Sequence, residues 1–149
     1  MPELLIRDER EEDAGAIRAV TLAAFAGMPY SEQTEGAIVD ALRAAGALAV
    51  SLVAVEEGGI VGHVAFSPVA VDGAPTPGWF GVGPLSVRPD RQRHGVGTAL
   101  MRAGLARLGD AGAKGCVLVG EPAYYRRFGF RASSSLRYPD LPAEYFQVL

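Results

Sequence analysis

Residues 83–98 read Gly-Pro-Leu-Ser-Val-Arg-Pro-Asp-Arg-Gln-Arg-His-Gly-Val-Gly-Thr, and this stretch decides the fold. A strand pattern ends at Val87 and is broken at Pro89. An apolar helical pattern then begins at Thr98, directly after a glycine-rich turn. The predicted order is strand, tight loop and helix. The unpaired backbone N–H groups and the positive dipole end at such a helix N-terminus favour an anionic phosphate.

The loop itself has the composition of a phosphate site. Gly95 and Gly97 allow the backbone to approach a ligand closely. Arg91, Arg93 and His94 add positive charge beside them. The alternative is a plain tight turn that caps a helix, and the neighbouring arginines and the preceding strand favour the phosphate site over it.

Two motifs together resemble the GNAT N-acetyltransferase superfamily. The pattern Gln92-x-x-Gly95-x-Gly97 is similar to that family's loop for the pyrophosphate of acyl-coenzyme A. Residues 124–130, Tyr-Tyr-Arg-Arg-Phe-Gly-Phe, are similar to its late motif, a tyrosine followed four residues later by Gly-Phe. The Gly-Glu-Pro-Ala-Tyr-Tyr arrangement before that motif resembles a subgroup of small bacterial predicted N-acetyltransferases, and it replaces an asparagine that many members carry there.

The resemblance covers nearly the whole chain and implies a single domain over residues 1–149. The implied fold class is α/β, with a mixed, mostly antiparallel central sheet, splayed middle strands and about four flanking helices. The implied activity is direct transfer of an acetyl group from acetyl-CoA to a primary amine, without an acyl-enzyme or a metal. The resemblance assigns cofactor binding to residues of the strand, the loop and the late motif: Leu85, Ser86, Val87, Gln92, Arg93, His94, Gly95, Val96, Gly97, Thr98, Tyr125 and Arg126.

The late motif also supplies a candidate general acid. Tyr125 stands four residues before Gly129, the family's position for the group that protonates the departing thiolate. The adjacent Tyr124 is expected to point about 100° away on the same helix. A packing tyrosine is the alternative for Tyr125. For the oxyanion we expect backbone N–H groups between Leu85 and Val87.

Several residues are candidates for the general base, each with an ordinary alternative. Glu121 follows a predicted strand, but it also suits a helix start. Glu32 and Glu35 are typical of a solvated helix face. His63 lies in a strand with mixed packing, where a hydrogen-bonded structural histidine is the favoured interpretation. A base acting through ordered water, or none at all, stays open.

The acceptor site is expected between the first two helices. By resemblance, the loop there borders the amine and makes Met28, Tyr30 and Glu32 candidate substrate-binding residues, with Glu35 beside them. The acceptor is expected to be a small amine or a protein or peptide amine.

Composition restricts the partners. Of the residues, 49% are hydrophobic and 21% are charged, as in a globular protein. The 14 Lys and Arg against 17 Asp and Glu give a net charge of −3, so we expect neither nucleic acid nor an anionic membrane as partner. The single cysteine, Cys116, lies in an apolar run and is predicted to be a buried hydrophobe rather than a nucleophile.

Location and assembly are expectations of the same kind. Apolar stretches stay shorter than the roughly 20 residues of a membrane span, and the N-terminus lacks the pattern of a signal peptide, so a cytoplasmic enzyme is expected. A homodimer through the late strands is implied by resemblance alone. The second functional hypothesis is a catalytically inactive acyl-CoA-binding sensor or interaction module. A nucleotide-binding domain is disfavoured because the lysine and Ser/Thr of a Walker loop are missing.

Hydrophobic periodicity and turn residues predict the remaining elements. The predicted strands are 4–7, 48–55, 60–71, 79–87, 114–119, 130–132 and 145–149. Four helices are predicted. The first ends near Phe25, the second runs from Ser31 to near Gly46, and the last two span residues 98–108 and 122–128.

Overall fold

The computed structural model describes residues 3–26, 35–71, 74–120, 122–132 and 146–149. Within these ranges the chain forms four helices and seven strands. Short 3₁₀ turns lie at Glu11–Asp13, Pro89–Arg91 and Arg126–Phe128. The elements are β1 (Leu4–Asp8), α1 (Ala14–Phe25), α2 (Glu35–Ala44), β2 (Val50–Glu56), β3 (Gly59–Val71), β4 (Ala74–Val87), α3 (Val96–Asp110), β5 (Gly115–Val119), α4 (Pro122–Tyr125), β6 (Arg131–Ala132) and β7 (Phe146–Val148).

The strands form one mixed sheet in the order β1-β2-β3-β4-β5-β7-β6. The first four strands pair antiparallel with their neighbours in the sheet. A two-residue turn, Glu57 and Gly58 with φ of 53° and 80°, connects β2 to β3. Such a left-handed pair is the two-residue turn that suits the twist of a hairpin. The β4–β5 pair is parallel, with α3 as the crossover between its strands. The predicted fold class is confirmed.

Strands β4 and β5 separate after a short paired section. Their register runs from Trp79 opposite Gly115 to Gly81 opposite Val117, whereas β4 continues to Val87. In the same strand Gly83 has φ 140° and precedes a cis Pro84. The pairing of β4 with β3 also shifts register there, between Val64 and Phe66 on β3. The register shift marks an irregularity in the middle of β4, and beyond the paired section a cleft lies between β4 and β5.

The start of β4 differs from the sequence prediction. The sequence predicts a strand from Trp79, but β4 begins at Ala74, with Ala74 opposite Val71 and Pro75 opposite Ala70. Before Trp79, β4 pairs with β3 alone among the described strands. Proline is tolerated on such an edge because the missing N–H faces away from the ladder.

Helices cover both faces of the sheet. On one face, Leu100 and Met101 of α3 pack on a cluster that includes Phe66 of β3. On the other face, Ile17 of α1 and Val39 of α2 pack on Val53 of β2. The cleft between β4 and β5 thus lies between two packed helical layers. None of the helices in the described ranges is long and apolar enough to cross a membrane.

Candidate active site

A cavity of about 710 Å³ lies where β4 and β5 separate. One wall is the part of β4 that pairs with β3 but no longer with β5, together with the end of β5. The other walls are helix α4, the N-terminus of α3, the C-terminal end of α1 and the N-terminal end of α2. This volume is within the range of small-molecule sites. Of the residues assigned to the cofactor from sequence, eight line the cavity: Leu85, Val87, Gln92, Arg93, Gly95, Gly97, Thr98 and Tyr125.

The α3 end of the cavity is built from backbone. Gly95, the residue before α3, has φ 85°, and a side chain there would meet open space within 4 Å. Its carbonyl accepts the first helical hydrogen bond, from Ala99 N–H at 3.0 Å. Gln92 Nε2 donates to the carbonyl of Val87 at 3.1 Å and holds the loop against β4. The N-terminus of α3 thus borders the cavity through Gly95, Gly97 and Thr98, and such a helix end favours an anion.

Two of the loop arginines are already paired with carboxylates. Arg88 donates to Asp90 at 2.6 Å, and Arg91 forms an ion pair with Glu56 at the end of β2. The carboxylate of Glu56 thus neutralises the positive charge that the sequence assigned to Arg91, and the pair ties the loop to the sheet. Arg93 lines the cavity, with its backbone in the left-handed region at φ 68°.

Tyr124 and Arg127 form a stacked pair at the same end. The Arg127 guanidinium lies 4.4 Å from the centre of the Tyr124 ring, and its Nε donates to the Tyr124 carbonyl at 2.8 Å. The Tyr124 hydroxyl lies 2.8 Å from where a Cβ on Gly97 would stand. Both side chains line the cavity, whereas Arg126, the arginine predicted from sequence, is exposed and outside the lining. In the sequence, the three-residue spacing from Tyr124 to Arg127 could have indicated that these two side chains lie on the same side of the short helix.

Tyr125 lines the cavity beside the end of β5. Its ring packs on Gly120 so closely that a Cβ there would be 2.4 Å from Tyr125 Cε2. The ring also makes an edge contact with Phe130, with centroids 6.2 Å apart. The tyrosine is held partly buried beside the end of β5, where the two strands have separated.

Three further residues assigned to the cofactor keep their side chains outside the cavity lining. Ser86 is fully buried, with its Oγ 3.4 Å from Thr21 Oγ1, because alternate residues of a strand face opposite sides. Val96, the first residue of α3, is buried in the core, and His94 is exposed on the loop before it.

Of the base candidates, Glu35 lines the cavity and His63 does not. His63 is fully buried, its Nε2 lies 2.8 Å from Ser51 Oγ, and burial lowers its pKa to about 4. These contacts support the interpretation of His63 as a hydrogen-bonded structural histidine rather than a general base. The predictions for Glu121, Met28, Tyr30 and Glu32 concern residues outside the described ranges.

Cys116 is buried in β5, and burial raises the pKa of its thiol to about 11. The thiolate, which is the nucleophilic form, is therefore scarce at neutral pH. Across the part of the chain that the structure describes, His, Cys, Asp and Glu side chains form no group of three that could hold a metal ion.

Sequence reasoning missed an apolar wall of the cavity. It consists of Ala24 and Phe25 from α1, Ile38 from α2, and Val119 after the cleft opens on β5. Ile38 and Val119 are each about half exposed, at 46% and 52%. In the sequence they are indistinguishable from core residues of an amphipathic helix and a buried strand.

The family comparisons agree with this geometry. A family model described as an Acetyltransferase (GNAT) domain matches residues 47–132. The uncharacterized N-acetyltransferase YhbS of Escherichia coli K12 is 37% identical over 132 residues, which cover 88% of this chain and 75% of YhbS.

Solved structures show the same fold. A GNAT family acetyltransferase from Brucella melitensis in complex with acetyl-CoA is 55% identical, with a TM-score of 0.88, covering 99% of this chain and 87% of that one. The YhbS structure from Escherichia coli in complex with CoA is 35% identical, with a TM-score of 0.87, covering 99% and 81%. The chain described here belongs to the GNAT family of acetyltransferases.

Proposed function

We propose that this chain acts as a single-domain N-acetyltransferase that moves an acetyl group from acetyl-CoA directly to a primary amine in a ternary complex. One observation carries the proposal. A single cavity joins the N-terminus of α3, the part of β4 that no longer pairs with β5, and the Tyr125 ring. Its relatives from Brucella melitensis and Escherichia coli were solved in complex with acetyl-CoA and CoA.

The residues present fit acetyl-CoA. The N–H groups at the start of α3 would hold the pyrophosphate, with Arg93 and Arg127 supplying side-chain charge. Beyond Gly81 the register with β5 ends, so backbone groups of Leu85 and Val87 would hydrogen-bond the pantetheine amides. The thioester would then lie near Tyr125.

The chemistry needs three proton movements. The acceptor ammonium loses one proton, and its lone pair attacks the thioester carbonyl. The new C–N bond forms, and the oxyanion is stabilised by backbone N–H groups of β4. As the C–S bond breaks, Tyr125 protonates the thiolate and regains a proton as the amide nitrogen loses its second one. The net reaction releases CoA thiol, the N-acetyl product and one proton. The buried, protonated Cys116 supports transfer without an acyl-enzyme.

Calorimetric titration with acetyl-CoA and CoA tests the cofactor assignment. We expect micromolar, saturable binding that is lost in the variant Gly95→Gln with Gly97→Gln. Gly15→Gln is the matched control, because Gly15 lies in α1 and a side chain there meets nothing within 4 Å. An intact protein that binds neither compound would refute the proposal. Binding without transfer to any amine would support the alternative, an acyl-CoA-binding sensor or interaction module.

Tyr125→Phe tests the acid role. We expect a loss of turnover of roughly 10²-fold or more, in the range of general acid catalysis, with acetyl-CoA affinity retained. Unchanged turnover across the pH range would show that Tyr125 is a packing residue.

The family resemblance further supports a cytoplasmic homodimer. Light scattering on the purified protein tests the assembly, and a monomer at all concentrations would contradict it.

A further inference from the structure

Two large apolar side chains stand open at the mouth of the cavity. Ile38 comes from α2 and Val119 from the end of β5, so they converge on the cavity from different elements. Their exposures of 46% and 52% are high for side chains on a concave wall. Phe25, from the last turn of α1, continues the same wall. Exposed apolar surface gathered in a concave site is typical of a ligand-binding surface.

The charges along the cavity are divided between its ends. Arg93 and Arg127 lie with the α3 N-terminus, where the phosphates would bind. Glu35 is on α2, the helix that carries Ile38 of the apolar wall. Among the described lining residues, Glu35 has the one carboxylate side chain. Glu35 and Ile38 are three residues apart on α2, a spacing that places both on one helix face. A negative group thus lies on the same helix face as an apolar side chain, on a different element from the two arginines.

We propose that the acceptor is a cationic primary amine whose carbon skeleton next to the nitrogen is apolar, such as an arylalkyl or branched alkyl amine. This inference rests on the proposed acetyl transfer. Glu35 attracts the ammonium, while Ile38 and Val119 contact the apolar group. Amino sugars and polyamines lack the apolar group and leave that wall in water.

A panel of acceptors tests the inference, with release of CoA thiol as the measurement. 2-Phenylethylamine is compared with ethanolamine, glucosamine and spermidine, and a tripeptide with N-terminal phenylalanine distinguishes a peptide source from a small molecule. We expect kcat/KM for at least one of the two apolar acceptors to exceed that for the polar ones by about tenfold or more, as one apolar contact surface can supply.

Matched variants connect the preference to the wall. Ile38→Thr should lower kcat/KM for 2-phenylethylamine or the tripeptide by about fivefold, mainly through KM. Leu22→Thr should not, because Leu22 is similarly exposed, at 43%, but lies outside the lining. Glu35→Gln should raise KM for every amine, whereas Glu11→Gln on an exposed turn should not.

Binding of acetyl-CoA is measured on every variant, so that the two proposals fail separately. An enzyme that binds acetyl-CoA but prefers the polar amines, or acetylates none of the panel, overturns the inference on the acceptor. Equal effects of Ile38→Thr and Leu22→Thr overturn it as well. An enzyme that does not bind acetyl-CoA overturns the proposed function itself.

Discussion

At the scale of residues, Arg127 and Arg126 are a natural pair for comparison. They are neighbours in one short turn, both exposed, yet Arg127 lines the cavity and stacks on Tyr124 while Arg126 lies outside it. We predict that Arg127→Gln weakens CoA binding about tenfold, because a charge-assisted hydrogen bond contributes roughly 1.5–3 kcal/mol. Calorimetry at low and high salt measures this, and the difference from wild type should shrink as salt rises.

Arg126→Gln is the control for this prediction. It removes the same charge from the same turn, and it should change CoA affinity less than about twofold. Equal losses in the two variants would mean that the general positive potential of the turn, rather than the position of Arg127, determines binding.

At the scale of elements, helix α3 is held close to the sheet by a glycine. A Cβ on Gly104 would lie 2.2 Å from Phe66 Cε1 in the core. We predict that Gly104→Ala lowers the free energy of unfolding by roughly 1–3 kcal/mol, because overpacking forces the Phe66 ring or the helix to move. Urea denaturation followed by far-ultraviolet circular dichroism measures the change.

Gly109 provides the control on the same helix. A Cβ there meets nothing within 4 Å, so Gly109→Ala should leave stability unchanged or raise it by up to about 1 kcal/mol through helix propensity. If Gly104→Ala were as stable as Gly109→Ala, close packing of α3 on Phe66 would not hold the helix in place.

At the scale of the whole molecule, a buried polar network joins three elements. Arg43 of α2 donates to Glu9 at 2.9 and 3.0 Å, Ser51 of β2 donates to the same carboxylate, and His63 of β3 contacts Ser51. Burial alone would raise the pKa of Glu9, but the hydrogen bonds from Arg43 and Ser51 outweigh it and lower that pKa. Burial lowers the pKa of His63 to about 4.

The depressed pKa of His63 predicts acid sensitivity. Below its unfolded pKa of about 6.5 the unfolded chain binds a proton that the folded chain rejects, so stability falls as the pH drops from 6.5 towards 4. The loss should be roughly 1–3 kcal/mol across this window. Urea denaturation at a series of pH values measures it.

Two substitutions test the assignment to His63. His63→Gln should flatten the slope between pH 6.5 and about 5, above the range in which carboxylates with lowered pKa, such as Glu9, contribute, whatever its effect on absolute stability. His94→Gln, at the exposed histidine, should leave the slope unchanged. A slope that persists in His63→Gln would assign the acid sensitivity to other groups.

Much of the fold could be predicted because its signals are local. The meander, the phosphate loop and the short late helix follow from strand alternation, a two-residue turn and glycines before α3 and after Phe128. The start of β4 could not be predicted, since Pro75 and Pro77 read as a turn until the structure shows that they lie on an edge.

The sequence by itself determined the family and the order of the elements, because both depend on short patterns of glycine, proline and apolar spacing. The tertiary structure decided which side chains share the cavity. It showed that the carboxylate of Glu56 neutralises the charge of Arg91 and that Arg127 rather than Arg126 lines the cavity. It also showed that the apolar residues of the lining come from other elements than the arginines do. The physical reason is that the charge and exposure of a side chain depend on neighbours distant in sequence, which only the packed chain brings within contact.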